Sequence, residues 1–176
     1  TSIAIAALSL STSALAQQAV QPAPETQVSE TNLRHIVETL VGFGTRHTLS
    51  EQDSPVRGIG AARRWAEAEF RRISADCGGC LTIQLPEQMI EGNRVPTPTR
   101  LVNVLGVQLG SERPNEVVII SGHIDSRVSD VMNATADAPG ANDDGSGTAA
   151  VIEAARVLSR HRFPTTIVYA VLAGEE

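Results

Sequence analysis

The sequence predicts an α/β fold, a three-layer sandwich around a mixed, mainly parallel central sheet. Two observations predict it. In the second half of the chain, apolar runs of strand length alternate with a segment of helical periodicity, and the run at residues 115–123 is almost continuously apolar. Such runs are typical of strands covered on both faces, and these strands lie between helices in parallel sheets. Two earlier strands are expected to be antiparallel at one edge.

The first sixteen residues carry no charge and end in Ala14-Leu15-Ala16, which resembles the cleavage site of a secretory signal peptide. The run is too short for a stable membrane span. We therefore expect a signal peptide without its n-region at 1–16, a linker at 17–29 and one domain at 30–176. A buried N-terminal helix is the alternative. The expected location is secreted or periplasmic.

Two helices are predicted before the first strand. Ser29 or Thr31 can cap a helix whose apolar positions recur at helical spacing until Gly42. A second, strongly amphipathic helix is expected over residues 59–73. The segment between the two helices has no periodicity and is expected to be a loop.

Cys77 and Cys80 are the two cysteines of the 176-residue sequence. An even number of cysteines in an exported chain suggests a disulfide. A thioredoxin-like redox motif needs a strand before it and a helix after it, and here the order is reversed. A zinc ribbon would need a second cysteine pair. We predict a small structural disulfide that closes a turn from helix to strand.

Strands are expected at residues 81–85 and 100–110, which alternate apolar and polar side chains. The stretch EQMIEGNRVPTPT between them is expected to be turn and loop. After the central strand at 115–123 and a long loop, a helix is predicted from Ser146, followed by a strand at 166–173.

The composition excludes some classes of function. Net charge is −6, all 14 basic residues are arginine, and none of the arginine pairs forms a dense basic run. The sequence therefore gives no indication of nucleic-acid binding.

Three polar clusters stand at the ends of apolar runs or on a tight turn. His123 and Asp125 follow the central strand, two residues apart, so their side chains share a face if the strand continues. That spacing allows an imidazole metal ligand beside a carboxylate that orients its second nitrogen. A lone histidine at this place would more often be structural, and the clusters downstream favour a metal site.

The second cluster is Asp143-Asp144 in a glycine-bounded turn before the Ser146 helix. Asp144 or Ser146 can cap that helix, but capping does not account for two adjacent acids. The third cluster, Glu175-Glu176, ends a run that is otherwise apolar. Ionised carboxylates there are costly unless they are paired or bind metal. One of them can ligate metal while its neighbour moves a proton, which suits hydrolysis.

The motifs HIDS (123–126), GANDDGSGTAAVIEAARVL (140–158) and GEE (174–176) closely resemble those of the co-catalytic di-zinc exopeptidases typified by secreted bacterial leucyl aminopeptidases. The match is firm over residues 121–176, and GTRHT (44–48) fits the family more loosely. The resemblance implies the zinc-exopeptidase type of sandwich, two Zn²⁺ ions and peptide substrates with a free N-terminus. The ligand set alone would allow several metals.

The same resemblance implies a role for each matching residue. His123 is similar to a ligand of one zinc, with Asp125 orienting it, and Glu176 is similar to a ligand of the other zinc. Asp143 resembles the carboxylate that bridges both ions. Glu175 resembles the general base. A hydroxide that bridges the two zincs would attack the first peptide carbonyl, and Glu175 would accept its proton. Glu175 and Asp125 are thus the candidate catalytic pair.

Asp144 resembles the residue that follows the bridging aspartate through an unusual cis peptide. The family supplies two more ligands, an Asp and a His, after the GEE motif, and neither is present; His35, His47 and His161 lie at other places. We therefore expect the N-terminal part of a zinc peptidase domain at 30–176, inactive as written. The alternatives are another di-zinc enzyme of this fold, a carboxypeptidase or a glutaminyl cyclase, and a non-catalytic binding module.

Overall fold

A computed structural model describes residues 22–176, and the predicted signal peptide at 1–16 lies outside this range. The helices of the described residues are α1 (Glu30–Gly42), α2 (Gly58–Asp76) and α3 (Ser146–Leu158). The strands are β1 (Leu81–Gln84), β2 (Glu87–Gly92), β3 (Val95–Val102), β4 (Val104–Gln108), β5 (Arg113–His123) and β6 (Thr165–Leu172). Both predicted helices before the first strand are confirmed, as is the helix that begins at Ser146.

The main sheet has four strands in the order β1-β4-β6-β5. β1 and β4 are antiparallel, β4 and β6 are antiparallel, and β5 and β6 are parallel. The α/β class and the mixed sheet are confirmed, and so is the antiparallel edge. The parallel majority is not found within residues 22–176. A parallel pair needs a crossover connection, and α3 is the one helical crossover between strands of this sheet in that range.

The helices lie in a layer against the sheet. α2 packs on β1 and β4, α3 packs on β5 and β6, and α1 packs against α3. Leu40, Phe70, Ile152 and Tyr169 are fully buried between these elements. Within residues 22–176, helices and sheet together make two of the three expected layers.

The prediction that β5 is covered on both faces is wrong for the described residues. β5 is an edge strand that pairs with β6 alone, and Val117, Val118 and Ile119 are 53%, 51% and 64% exposed. An apolar composition shows that a strand can be buried. Whether it is buried depends on other segments that pack against it or pair with its outer edge. β6 is the strand with the mostly buried pattern.

The prediction of turn and loop at residues 87–99 is also wrong. β2 and β3 form an antiparallel hairpin, a separate two-stranded sheet with an irregular register between Ile90 and Gly92. β3 contains Pro96 and Pro98, and proline cannot donate to a ladder. A two-stranded sheet has two outer edges, and prolines are tolerated there. The predicted strand at 100–110 is correspondingly divided into β3 and β4.

Part of the predicted linker packs against the helices. Pro24–Gln27 forms a 3₁₀ turn, and Ser29 caps α1 by accepting from the amide of Asn32. The buried carboxylate of Glu153 on α3 accepts from the amide of Ser29 at 2.7 Å and from the side chain of Asn32 at 2.5 Å. Arg156 adds two bonds to the same carboxylate. Glu153 therefore fixes the start of α1 on α3.

The predicted disulfide between Cys77 and Cys80 is present, and it closes the turn from α2 to β1. Its Cα atoms are 5.6 Å apart. Among residues 22–176, no helix combines the length and the apolar character that crossing a membrane requires.

Stability should depend on Glu153 and on pH. Burial alone would raise the pKa of this carboxyl, but hydrogen bonds from Arg156, Ser29 and Asn32 outweigh burial and hold the pKa below its ordinary value of 4.5. Its contribution is therefore complete above pH 4.5 and is lost as the pH falls through the lower folded-state pKa. We expect Glu153→Gln to lower the free energy of unfolding at pH 7 by about 1–3 kcal/mol. In this variant the free energy of unfolding should also fall less steeply as the pH is lowered.

Urea unfolding at pH 3 to 7 measures both effects. Glu38→Gln, at an exposed position of α1, is the matched control and should change the free energy of unfolding by less than about 0.5 kcal/mol. Equal behaviour of the two variants would contradict the anchoring role of Glu153.

Candidate active site

The polar clusters meet at one edge of the main sheet. His123 is the last residue of β5 and lies opposite Leu172, the last residue of the parallel strand β6. Carboxyl ends of parallel strands share an edge, so His123 and the acids after β6 come together. A close approach completes the arrangement: a Cβ on Gly122 would lie 2.7 Å from the backbone of Gly147. The missing side chain lets β5 contact the start of α3.

His123 is the centre of the cluster. Its Nε2 lies 3.2 Å from Oδ1 of Asp143 and 3.8 Å from Oε2 of Glu175. Two ligand atoms bound tetrahedrally to one zinc at bond lengths of about 2.0–2.1 Å are separated by about 3.3 Å. The imidazole and the Asp143 carboxylate are therefore spaced as two ligands of a single ion. Glu175 lies beside them with a largely exposed side chain.

Asp125 lies behind the imidazole and is 0% exposed. Its Oδ2 accepts from the amide of Glu176 at 2.9 Å and from the hydroxyl of Thr48 at 3.4 Å. Its Oδ1 has no hydrogen-bond partner and lies 3.6 Å from Nδ1 of His123. Nδ1 also lies 3.3 Å from the backbone carbonyl of Asp125, so Asp125 borders this nitrogen with both its carbonyl and its carboxylate, as a residue that orients a metal-binding histidine does.

Asp144 is turned away from the imidazole and joins β5 to α3. Its Oδ2 accepts from the amide of His123 at 3.0 Å, and its Oδ1 accepts from the amide of Gly147 at 2.9 Å. Asp144 thus binds the first turn of α3, while the side chain of Asp143 stays exposed. The peptide bond between Asp143 and Asp144 is cis, as the resemblance implied.

Glu176 is placed differently from the other candidates. Its side chain forms an ion pair with Arg127, while its amide binds Asp125. Within residues 22–176, no group of three His, Cys, Asp or Glu side chains is positioned to hold one metal ion. The donor pair of His123 and Asp143 fits zinc, and Glu176 must leave Arg127 to join a metal site.

Arg46, in the GTRHT segment, is the residue that sequence reasoning missed. The side chain is 0% exposed. Its guanidinium donates to the carbonyls of Ile124 at 2.6 Å, Leu40 at 3.0 Å, Pro139 at 2.8 Å and Gly140 at 2.9 Å. It thereby ties the segment after His123 to the loop before Asp143 and to the end of α1. A single arginine in a loop gives no periodicity or spacing from which this role could be found.

Burial lowers the pKa of Arg46 to about 10, although the nearby carboxylates of Asp125 and Asp144 raise it. The guanidinium therefore stays charged at neutral pH. Its backbone takes part as well, because the Arg46 amide donates to the hydroxyl of Ser126 at 3.1 Å. That hydroxyl donates in turn to Ala138 at 2.7 Å. A continuous buried network of hydrogen bonds therefore joins the residues that follow β5 to the loop before Asp143.

Comparisons with known proteins agree with this geometry. Residues 103–176 match the model of peptidase family M28. A probable zinc metalloprotease of Leptosphaeria maculans is 47% identical over 165 residues, which cover 89% of this chain and 38% of that protein. One of Pyricularia oryzae is 48% identical over 152 residues, covering 85% and 30%. The chain thus spans about a third of the length of these relatives.

Solved structures share the fold. A leucine aminopeptidase precursor of Bacteroides thetaiotaomicron superposes with a TM-score of 0.67 at 18% identity, over 85% of this chain and 48% of that one. A glutaminyl cyclase of Tannerella forsythia gives 0.64 at 18% identity with the same coverage. The family match and the fold confirm the resemblance to zinc exopeptidases that the sequence motifs indicate.

Replacement of Arg46 should loosen the whole site. Arg46→Met removes four hydrogen bonds and leaves the carbonyls of Ile124 and Pro139 without the guanidinium that binds them, and we expect a loss of at least about 3 kcal/mol in the free energy of unfolding, together with a lower zinc content. Arg34→Met on α1 removes an exposed pair with Glu30 and should cost less than about 1 kcal/mol. Urea unfolding and metal analysis of the purified variants measure both quantities. Equal stability and zinc content of the Arg46→Met and Arg34→Met variants would contradict the role of Arg46.

Proposed function

We propose that this chain, whose residues 103–176 match peptidase family M28, is part of an exported zinc aminopeptidase that removes N-terminal residues from peptides. The observation that carries the proposal is the position of His123. Its Nε2 lies 3.2 Å from the Asp143 carboxylate and 3.8 Å from the Glu175 carboxylate. Two ligands of one ion and a free carboxylate beside them are the components of metal-assisted hydrolysis.

The metal requirement rests on the same residues. His123 and Asp143 would hold one zinc, with Glu176 offered to a second ion that Asp143 would share. The relatives from Leptosphaeria maculans and Pyricularia oryzae are described as probable zinc metalloproteases, which supports zinc. When bound, zinc lowers the pKa of water and polarises the substrate carbonyl. The count of two ions is a proposal from the resemblance.

Asp125 and Glu175 then have separate tasks. Asp125 holds the imidazole of His123 in place. Glu175 accepts the proton of the attacking water at Oε2 as the oxygen of that water bonds to the carbonyl carbon of the first residue. The same Glu175 gives this proton to the departing amide nitrogen as the C–N bond breaks. The products are a free amino acid and a peptide shortened by one residue, and one water molecule is consumed.

Export is proposed on two sequence features. The Ala14-Leu15-Ala16 signature follows an uncharged apolar run, and Cys77 and Cys80 form a disulfide, which is typical of oxidising compartments.

A second candidate function is cyclisation of N-terminal glutamine, because glutaminyl cyclases are among the structures with this fold. In that reaction the α-amino group of the substrate attacks its own side-chain amide and ammonia is released. A carboxypeptidase or a binding module without activity would also keep the fold. Activity measured on free-amino, N-blocked and N-glutaminyl peptides distinguishes these candidate functions.

Hydrolysis of leucyl-p-nitroanilide by the full-length protein is the direct test. We expect release of p-nitroaniline that a chelator abolishes and zinc restores, and no release from the N-acetylated substrate. Ammonia release from a glutaminyl peptide, without hydrolysis of the leucyl substrate, would support the cyclase instead. Zinc bound at full occupancy without either reaction would refute both enzymes.

Glu175→Gln in that full-length protein removes the base but leaves the zinc ligands. We expect kcat to fall by about 10²–10⁴-fold with zinc content unchanged. Glu112→Gln is the control, because this exposed residue precedes β5 at the opposite end of the sheet. Near wild-type turnover of Glu175→Gln would remove Glu175 from the mechanism.

A further inference from the structure

A small cavity opens beside the proposed catalytic carboxylate. It has a volume of about 160 Å³ and is bounded by the β2–β3 hairpin, the segment after α1 and the residues that follow β6. Leu49, Ile90 and Val95 form its apolar part, and Glu175 and Glu176 lie at the other side. The cavity is therefore continuous with the site that would cleave the peptide.

The hairpin turns one defined face toward this cavity. Leu101 approaches Gly174 so closely that a Cβ on the glycine would lie 2.7 Å from Cδ1 of Leu101. Leu101 and Thr99 lie on the same face of β3, and Thr99 is opposite Ile90. Alternate residues of a strand point to opposite faces, so Met89 points away from the cavity, and it is 62% exposed.

Two polar side chains of the cavity wall, His47 and Thr48, are already engaged. Nδ1 of His47 accepts from the amide of Leu49 at 3.0 Å, and its Nε2 lies 3.1 Å from the carbonyl of Val131. The hydroxyl of Thr48 donates to Asp125. These side chains have little left to offer a polar ligand group. Leu49, Ile90 and Val95 are only partly buried, and apolar surface that is still accessible gains from being covered.

The volume of the cavity fits one side chain. Pockets for drug-sized ligands have about 300–1,000 Å³, whereas an apolar cavity of about 150 Å³ accommodates benzene. A cavity of about 160 Å³ therefore has room for an aliphatic group of four carbons.

We propose that the β2–β3 hairpin walls a specificity subsite, which takes the aliphatic side chain of a substrate residue flanking the scissile bond. Ile90 is the residue that sets its depth. The inference rests on the proposed peptidase function and adds a substrate class, peptides with valine- or leucine-sized residues at that place. Arg94 also lines the cavity, and its guanidinium donates to the backbone carbonyl of Glu176.

The test compares full-length wild type with Ile90→Trp and the matched control Met89→Trp, which places the same bulk on the outer face of the same strand. kcat/KM is measured for tripeptides X-Ala-Ala and Leu-X-Ala, in which X is Gly, Ala, Val, Leu, Phe or Glu. At one of the two positions, we expect Ile90→Trp to lower kcat/KM for Val and Leu by about ten-fold or more, mainly through KM. Peptides with Gly or Ala at that position should change little, and Met89→Trp should match wild type.

Ile90→Ala is the complementary variant, since it deepens the cavity. We expect it to shift the preference from leucine toward phenylalanine by about ten-fold at the same position. Selectivity that neither Ile90 variant alters, equal effects of both tryptophan variants, or a wild-type preference for glutamate would overturn the subsite while the peptidase function stands. Absence of hydrolysis by wild type would overturn the function, and the subsite with it.

Discussion

The buried guanidinium of Arg46 is the constraint on which the site depends. It donates to carbonyls in three separate segments: the end of α1, the residues after β5 and the loop before α3. The carbonyls of Leu40 and Gly140 also accept from the amides of Phe43 and Gly145, whereas Arg46 is the donor to Ile124 and Pro139, and a buried carbonyl without a donor is costly. Because one planar side chain serves all three segments, His123 and Asp143 are held at the separation of two ligands.

The candidate ligands could be predicted because each belongs to a local pattern. An apolar run that ends in a polar residue indicates a strand end, and HIDS and GEE both have this form. The parallel pairing of β5 with β6 then brings His123 and Glu175 to one edge, as expected for an α/β sheet. The turn of Asp143 was also predictable, since the glycines and the following helix periodicity fix where the helix starts.

Other features depend on contacts that local patterns do not contain. Arg46 acquires its role from carbonyls as far as 94 positions away in the chain. The sequence predicts turn and loop where the structure has the β2–β3 hairpin, a two-stranded sheet apart from the main sheet in which two prolines are tolerated. The apolar character of β5 predicted burial, but burial needs a partner segment. The pair of Glu176 with Arg127 likewise joins a strand end to a distant loop.

The most direct measurement is anomalous diffraction at the zinc edge from crystals of the full-length protein. A metal centre built on these residues predicts a zinc peak about 2.0–2.2 Å from both Nε2 of His123 and a carboxylate oxygen of Asp143, with Glu176 turned from Arg127 toward a second peak. Zinc bound away from His123 and Asp143, or an active crystal form with no zinc between them, would contradict the proposed site.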